Sequence, residues 1–315
     1  MRHSYLRIIG SFVFMLFIPI SAISAAEGTP PNQRFSLVIR EGFGSLGVGD
    51  MNTTISSINT AYDQSRESYP EYITGSIPEA SNGFKDWEVE VRWGAWKGLS
   101  FGVALSGPIH LNSHGCISYV RSWTQALLIE SEARMAAPIK LNLYYSFPIH
   151  SKFNLVLNGG VGLYHARMSQ SYDWQRRYSS DESGYGADVN VVGNYNFNVS
   201  GRTTGYHCGV GLEYKFNDRF SMMAEGQWRF AKIHSLEGTG NRTTRLSYVS
   251  GGDIISSTSD SQEGYLYHYI YDLYGYEELE VFENPDDVSG ISEVRKATLD
   301  LGGFTFKIGL KIGLF

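Results

Sequence analysis

Apolar and polar residues alternate, position by position, along eight stretches of this chain. In 34–44 the apolar face is Phe35, Leu37 and Ile39. In 85–96 it is Trp87, Val89, Val91 and Trp93, set against Glu88, Glu90 and Arg92. Leu99, Phe101, Val103 and Leu105 follow in 99–109, then Ala137, Ile139, Leu141, Leu143, Tyr145 and Phe147 in 132–147. The second half repeats the pattern in 152–168, 204–216, 219–232 and 298–314, with Val161, Val210, Trp228 and Ile308 on the apolar faces. A period of two marks a strand. These runs exceed the roughly 5–6 residues usual in soluble sheets and match the roughly 9–11 that a tilted strand needs to cross a bilayer. No run beyond residue 27 approaches the roughly 20 apolar residues of a spanning helix.

The connections sharpen that reading. Lys97-Gly98, 148–151 and Asn217-Asp218 are tight turns built from Gly, Pro, Asn and Asp. The other four connections are long: 45–84, 110–131, 169–203 and 233–297. Strict alternation of short and long is the layout of outer-membrane barrels, with short periplasmic turns and long external loops. The predicted fold is all-β: an eight-stranded antiparallel up-and-down transmembrane β-barrel with long extracellular loops and both termini in the periplasm. Hydrocarbon offers no partner to a backbone N–H or C=O, so the last strand must pair with the first. A secreted β-sandwich or lipocalin-like barrel would turn its apolar faces inward. The opposite faces here carry Gly and charge, which suits a narrow lumen better.

The N-terminus and composition agree. Arg2, His3 and Arg7 precede an apolar run at 8–20 and small residues at 21–26, the pattern of an export signal. We read 1–26 as a cleaved signal peptide and 27–315 as the barrel domain. The net charge of −6 speaks against a nucleic-acid partner. Two cysteines, Cys116 and Cys208, are too few for a disulfide scaffold. Export permits a bridge between them, and the sequence leaves both states open.

The C-terminal run carries Lys307, Gly309, Ile312, Leu314 and a final Phe315. With this run and its strand-and-loop layout, 27–315 resembles the bacterial outer-membrane β-barrel superfamily, in the size range of the OmpA, OmpX and OmpW types. The resemblance implies that 307–315 is the assembly signal read by the barrel-insertion machinery. Gly313 departs from the pattern, because the superfamily carries an aromatic at that place.

The polar faces aim charge at the predicted lumen: Arg40, Glu88, Glu90, Arg92, Arg134, Lys140, Glu213, Lys215, Glu225, Arg229, Lys307 and Lys311. An eight-stranded barrel is just wide enough for its own side chains to fill it. These charges either plug the barrel as an ion-pair network or line a narrow path for small solutes. Bases outnumber acids among them, and buried charges must be paired or hydrated, so the surplus implies either water or further acids inside.

His234-Ser235 is similar to the outward His and Ser of a lipid A deacylase barrel. That family separates the two by one residue and follows with Asn, where Leu236 stands here. No set of His and carboxylates has metal-ligand spacing, and neither a cofactor nor a catalytic residue is assigned.

The loop 233–297 holds Tyr265, Tyr267, Tyr269, Tyr271, Tyr274 and Tyr276 ahead of Glu277, Glu278, Glu280, Glu283, Asp286 and Asp287. Alternating tyrosines there, and Tyr172, Trp174, Tyr178, Tyr185 and Tyr195 in 169–203, predict strands that run on beyond the membrane. Such surfaces either suit an extracellular ligand, with carboxylates fit for Ca²⁺ bridges to lipopolysaccharide, or form a tyrosine-packed, acid-solvated crown with no specific partner. At 50–69, Ile55, Ile58 and Tyr62 fit a short surface helix or an ordered coil. The role favoured is a non-enzymatic outer-membrane barrel, structural or surface-binding. A small-solute channel and a lipid-modifying enzyme are the alternatives.

Overall fold

The computed structural model describes residues 35–314 except 81–82, 121–123, 186, 251 and 273–274. The expected signal peptide 1–26, Tyr274 and the terminal Phe315 lie outside the described residues. In chain order the elements are β1 (Phe35–Ser45), α1 (Asp50–Ser68), β2 (Ile73–Ser76), β3 (Gly83–Trp96), β4 (Leu99–Ser106), β5 (Ile109–Val120), β6 (Thr124–Met135), β7 (Ile139–His150), β8 (Phe153–Tyr178) and β9 (Val189–Lys215). They continue as β10 (Phe220–Phe230), β11 (Lys232–Ile233), β12 (Glu237–Tyr248), β13 (Ile254–Tyr271), β14 (Glu277–Phe282), β15 (Ile291–Lys296), β16 (Leu299–Asp300) and β17 (Gly303–Gly313).

Every pairing is antiparallel. The pairs β1–β3, β3–β4, β4–β7, β7–β8, β8–β9, β9–β10, β10–β17 and β17–β1 form a ring of eight strands. Three tight turns, at 97–98, 151–152 and 216–219, sit at the end of the ring that also holds Phe35 and Leu314, where Leu314 N donates to Phe35 O. Gly98 takes φ 75° in the first of them, a conformation that costs glycine little.

The long connections are not loops, and this corrects the expected architecture. The stretches 110–131, 169–203 and 233–297 are mostly strand, so the described residues hold seventeen strands rather than eight. β8 has 26 residues and β9 has 27, and they stay in unbroken register from Phe153↔Tyr214 to Tyr178↔Val189. At about 3.3 Å per residue each reaches roughly 85 Å, far more than a bilayer needs. The stretch 132–147 is two strands, β6 and β7, broken at 136–138. Pro138 has no N–H for a ladder, and its carbonyl accepts from Ser106 N instead.

The extension has a physical signature. Along β8 the outward residues Leu157, Val161 and Leu163 are apolar and exposed, and the inward Asn154 and Asn158 are polar and buried. From Tyr164 onward the inward residues become apolar (Tyr164, Ala166, Met168) and the outward ones polar (His165, Arg167, Ser169). The side chains keep their facing while the surroundings exchange: lipid outside and charge inside give way to water outside and a hydrophobic core inside. Phe84 and Lys85, ahead of Asp86 and Trp87, mark the same boundary on β3.

Above the boundary the strands form a crown. Its apolar core joins Met51, Ile55 and Ile58 of α1 to Ile129, Met168, Phe197, Leu266 and Val281, all buried. The helix completes the wall. Asn52 pairs its side-chain amide with Ala80 N (2.9 Å) and Ala80 O (3.3 Å); Asn59, two turns on, does the same with Ile77 N (3.0 Å) and Ile77 O (2.7 Å). These amides bond as a neighbouring strand would. Nearby, Ser57 Oγ accepts from Glu277 N of β14 at 3.0 Å. The helix therefore stands between two sheet edges that would otherwise expose unpaired backbone.

We predict that Asn59→Ala costs the crown about 1–3 kcal/mol, because both backbone groups of Ile77 lose their partner. The readout is faster protease cleavage near 50–80, with unchanged heat-modifiable gel migration of the ring.

Candidate functional site

The ring interior is the one place where the fold buries many charges together. Arg40 on β1 donates to Glu225 of β10 at 2.6 Å and pairs with Glu88 of β3 at 2.7 Å and with Glu90. It is fully buried, as are Glu88, Glu90 and Glu225. Lys140 of β7 and Lys307 of β17 both reach Glu88 at 2.8 Å. Lys307 also pairs with Asp86 at 3.0 Å. Arg92 donates Nε to Glu90 at 2.8 Å, and its guanidinium lies over the Tyr144 ring, 3.5 Å from the centroid. Tyr144 donates its hydroxyl to Glu90 at 2.5 Å and Asn142 donates to it at 3.0 Å, while His207 hydrogen-bonds Asn142 at 2.6 Å. A separate group near the short turns joins Glu213 to Lys311 (2.9 Å), Ser221 (2.7 Å) and Asn154 (3.1 Å).

Ten of the twelve charges expected in the lumen point into the ring. Two do not. Arg134 has a side chain 63 % exposed and pairs with Glu132 on the outer surface. The break at 136–138 reverses which face the even-numbered residues present, so alternation counted through it goes astray. Lys215 follows the inward phase of Glu213 but lies past the rim, exposed to solvent. Sequence reasoning also missed Asp86, buried one alternation before Glu88; its signal was the polar residue ahead of Trp87. With Asp86 counted, the interior holds six bases (Arg40, Arg92, Lys140, Arg229, Lys307, Lys311) against five acids (Asp86, Glu88, Glu90, Glu213, Glu225). Arg229 lacks a carboxylate among the described residues and donates Nε to Leu301 O at 2.6 Å.

Of the tyrosines in the long connections, Tyr269 of 233–297 and Tyr172 and Tyr195 of 169–203 are buried in the crown, while Tyr265, Tyr267, Tyr271 and Tyr276 are half-buried. Tyr269 donates its single hydroxyl proton between Glu278 (2.7 Å) and Glu280 (2.9 Å), and burial pushes the Glu280 carboxyl above its ordinary range despite Arg242 at 2.8 Å. Tyr185 stays half exposed, in the connection between β8 and β9. His234 and Ser235 are exposed and share no hydrogen bond among the described residues. Cys116 and Cys208 are free thiols, so no bridge joins them. Among the described residues no group of three His, Cys, Asp or Glu side chains is placed to hold a metal.

The crown is locked to the ring by Asp50, at the first turn of α1. Its carboxylate accepts from Arg295 (2.6 and 2.9 Å), Thr298 N (2.6 Å) and Thr298 Oγ1 (3.0 Å). Burial alone would raise its pKa; these four bonds outweigh that and hold it below the ordinary aspartate value.

An antiparallel ring with apolar girdles outside and ion pairs inside defines an outer-membrane β-barrel protein. The chain belongs to the family described as the outer membrane protein beta-barrel domain, whose model matches residues 44–244, and its location is the bacterial outer membrane. Among solved structures it is similar to the outer membrane protein OprG from Pseudomonas aeruginosa at 10% identity, covering 89% of this chain and 96% of that one with a TM-score of 0.31. CarO from Acinetobacter baumannii gives 12% identity, 77% and 95% coverage and a TM-score of 0.25. The outer membrane protease OmpT from Escherichia coli gives 10%, 92% and 100%, and 0.26. At these scores the likenesses bear on neither site nor activity. No curated protein matches the chain.

We predict two outcomes. Lys307→Met leaves Asp86 buried without its cation and costs about 3–5 kcal/mol. Arg134→Met, at an exposed pair, costs about 1 kcal/mol or less. Urea midpoints of the heat-modifiable form in detergent separate them. The Asp50 clamp is fully formed above the unfolded aspartate pKa near 3.9 and is lost as pH falls through the lower folded value. Crown protease resistance should therefore fall in acid below about pH 4, and Asp50→Asn should flatten that dependence.

Proposed function

We propose that this chain is a plugged, eight-stranded transmembrane barrel, non-enzymatic, whose crown is a structural or binding surface outside the cell. In this reading 1–26 directs export and is removed, 27–315 is the barrel domain, and 307–315 is what the insertion machinery reads.

The arrangement of Arg40 carries the proposal. From β1 it reaches Glu225 on β10 and Glu88 and Glu90 on β3, so its bonds span from one wall of the ring to another. Tyr144 closes over the same carboxylate and over Arg92. A lumen as narrow as eight strands allow is filled once such side chains cross it. The outward bands support the membrane placement. Trp93 and Phe101 stack at one rim (centroids 6.1 Å apart), with Phe153 and Tyr214 (4.9 Å) near them; Trp228 and Phe304 (4.9 Å) sit at the other. The crown's exposed part is a Ser- and Thr-rich hairpin at 243–261, and with Tyr185 it is the surface best placed to meet an extracellular ligand.

We predict that the purified protein is electrically silent in planar bilayers. Arg40→Ala combined with Tyr144→Ala, checked for heat-modifiable migration, should open a measurable conductance. Steady single-channel steps from the unaltered protein would replace this reading with a small-solute channel. A change in lipid A mass on expression would replace it with a lipid-modifying enzyme.

A further inference from the structure

Directly above the apolar band, the outer surface of β6, β8 and β9 is rich in basic residues, with Glu132 and Glu237 the carboxylates in the same rows. On β8 the exposed outward residues Val161 and Leu163 are followed by His165 and Arg167, also exposed. On β9 Val210 and Tyr206 are followed by Thr204 and Arg202. Register brings these together. Arg202 stands opposite His165, Arg167 opposite Arg134, and Arg134 opposite His110. Lys232, exposed on β11 beside β9, extends the patch.

Directly opposed side chains on antiparallel strands have Cβ atoms about 4.5–5.5 Å apart, and like charges there repel. Arg134 opposite Arg167 is such a pair. Glu132 relieves Arg134, at 2.6 Å, and also binds His110. Among the described residues no carboxylate pairs with Arg167 or Arg202. Two arginines held in this way on a rigid ladder lack an anion.

Their height says which anion. Acyl chains lie against Leu163, Val161 and Ile139, and the next outward residues are about 7 Å further along the strand. That is the headgroup level. We propose that Arg167, Arg202 and Arg134, with His165, bind the phosphate of a phosphorylated outer-leaflet glycolipid. Guanidinium groups hold phosphate through paired N–H donors, and Arg suits this better than Lys. The inference rests on reading the ring as a membrane-spanning barrel.

The test uses the full chain in detergent and native mass spectrometry. Three probes are titrated: bis-phosphorylated lipid A, the same lipid dephosphorylated, and inorganic phosphate. Arg167→Gln with Arg202→Gln, both exposed and outside the ring interior, should weaken binding of the phosphorylated lipid by roughly thirtyfold. The dephosphorylated lipid should bind the unaltered protein about as weakly as the phosphorylated one binds the variant, and millimolar phosphate should displace neither. Equal affinity of variant and parent, or of the two lipids, would overturn the proposal. Displacement by inorganic phosphate would also overturn it and assign a free-phosphate site. The two-lipid comparison needs no variant, so misfolding of the variant leaves the test intact. Loss of heat-modifiable migration by the unaltered protein would sink the barrel reading itself; failed lipid binding with normal migration would sink only the patch.

Discussion

In hydrocarbon a backbone N–H or C=O can bond only another backbone group, and each one left unpaired costs several kcal/mol. The pairing of β1 with β17 answers that demand: it joins the first and last described strands and removes the edge. A ring of eight strands is narrow enough for its own side chains to fill. Outside the membrane the demand relaxes. There the wall is finished by Asn52, Asn59 and Ser57 of α1, not by a strand, because water can satisfy whatever the helix does not.

The outward face must be apolar to meet lipid. A strand apolar on both faces would have no reason to present one rather than the other, and a slip by one residue would go unpunished. Charge inside supplies the preference. Arg40 on β1, Lys140 on β7 and Lys307 on β17 find their acids on β3 or β10, and Lys311 on β17 finds Glu213 on β9, so a slipped strand would break ion pairs and push charge into lipid at once. The network therefore fixes register more than it adds stability, since desolvation offsets much of the attraction in buried pairs.

The outward faces of the ring strands were legible because lipid imposes an apolar series, as in Trp87 to Trp93, interrupted on β1 by the exposed Glu41. The crown was not, for the same reason reversed. At Leu163-Tyr164 the apolar residue moves from the odd to the even position while the strand runs on, and a rule that follows one phase reads this as an end. The tyrosines of 265–271 did betray strand beyond the membrane, though not which of them would be buried. Most of the lumen charges were legible from phase alone. Arg134 was lost to a break that alternation cannot see, and Lys215 to a rim that phase does not locate. Asp86 was lost because the apolar series had not yet begun beside it. The helix at 50–68 was left open against coil because its apolar stripe is short, Met51, Ile55 and Ile58, and its remaining grip on Ile77 and Ala80 is through the amides of Asn59 and Asn52.

Ring and crown are separate solutions to opposite environments, yet the same strands build both. β8 and β9 pass the boundary without a register shift, and the core of one meets the buried charges of the other where Tyr164, Phe84 and Arg229 lie together. A hinge needs a place where the ladder breaks, and this pair offers none. The crown is thus held at a fixed height and angle above the bilayer by the ladder that crosses it, with Asp50 tying α1 to the segment that leads into β17. A surface presented in this way loses little conformational freedom on meeting a partner, which is the condition under which modest contacts suffice for binding.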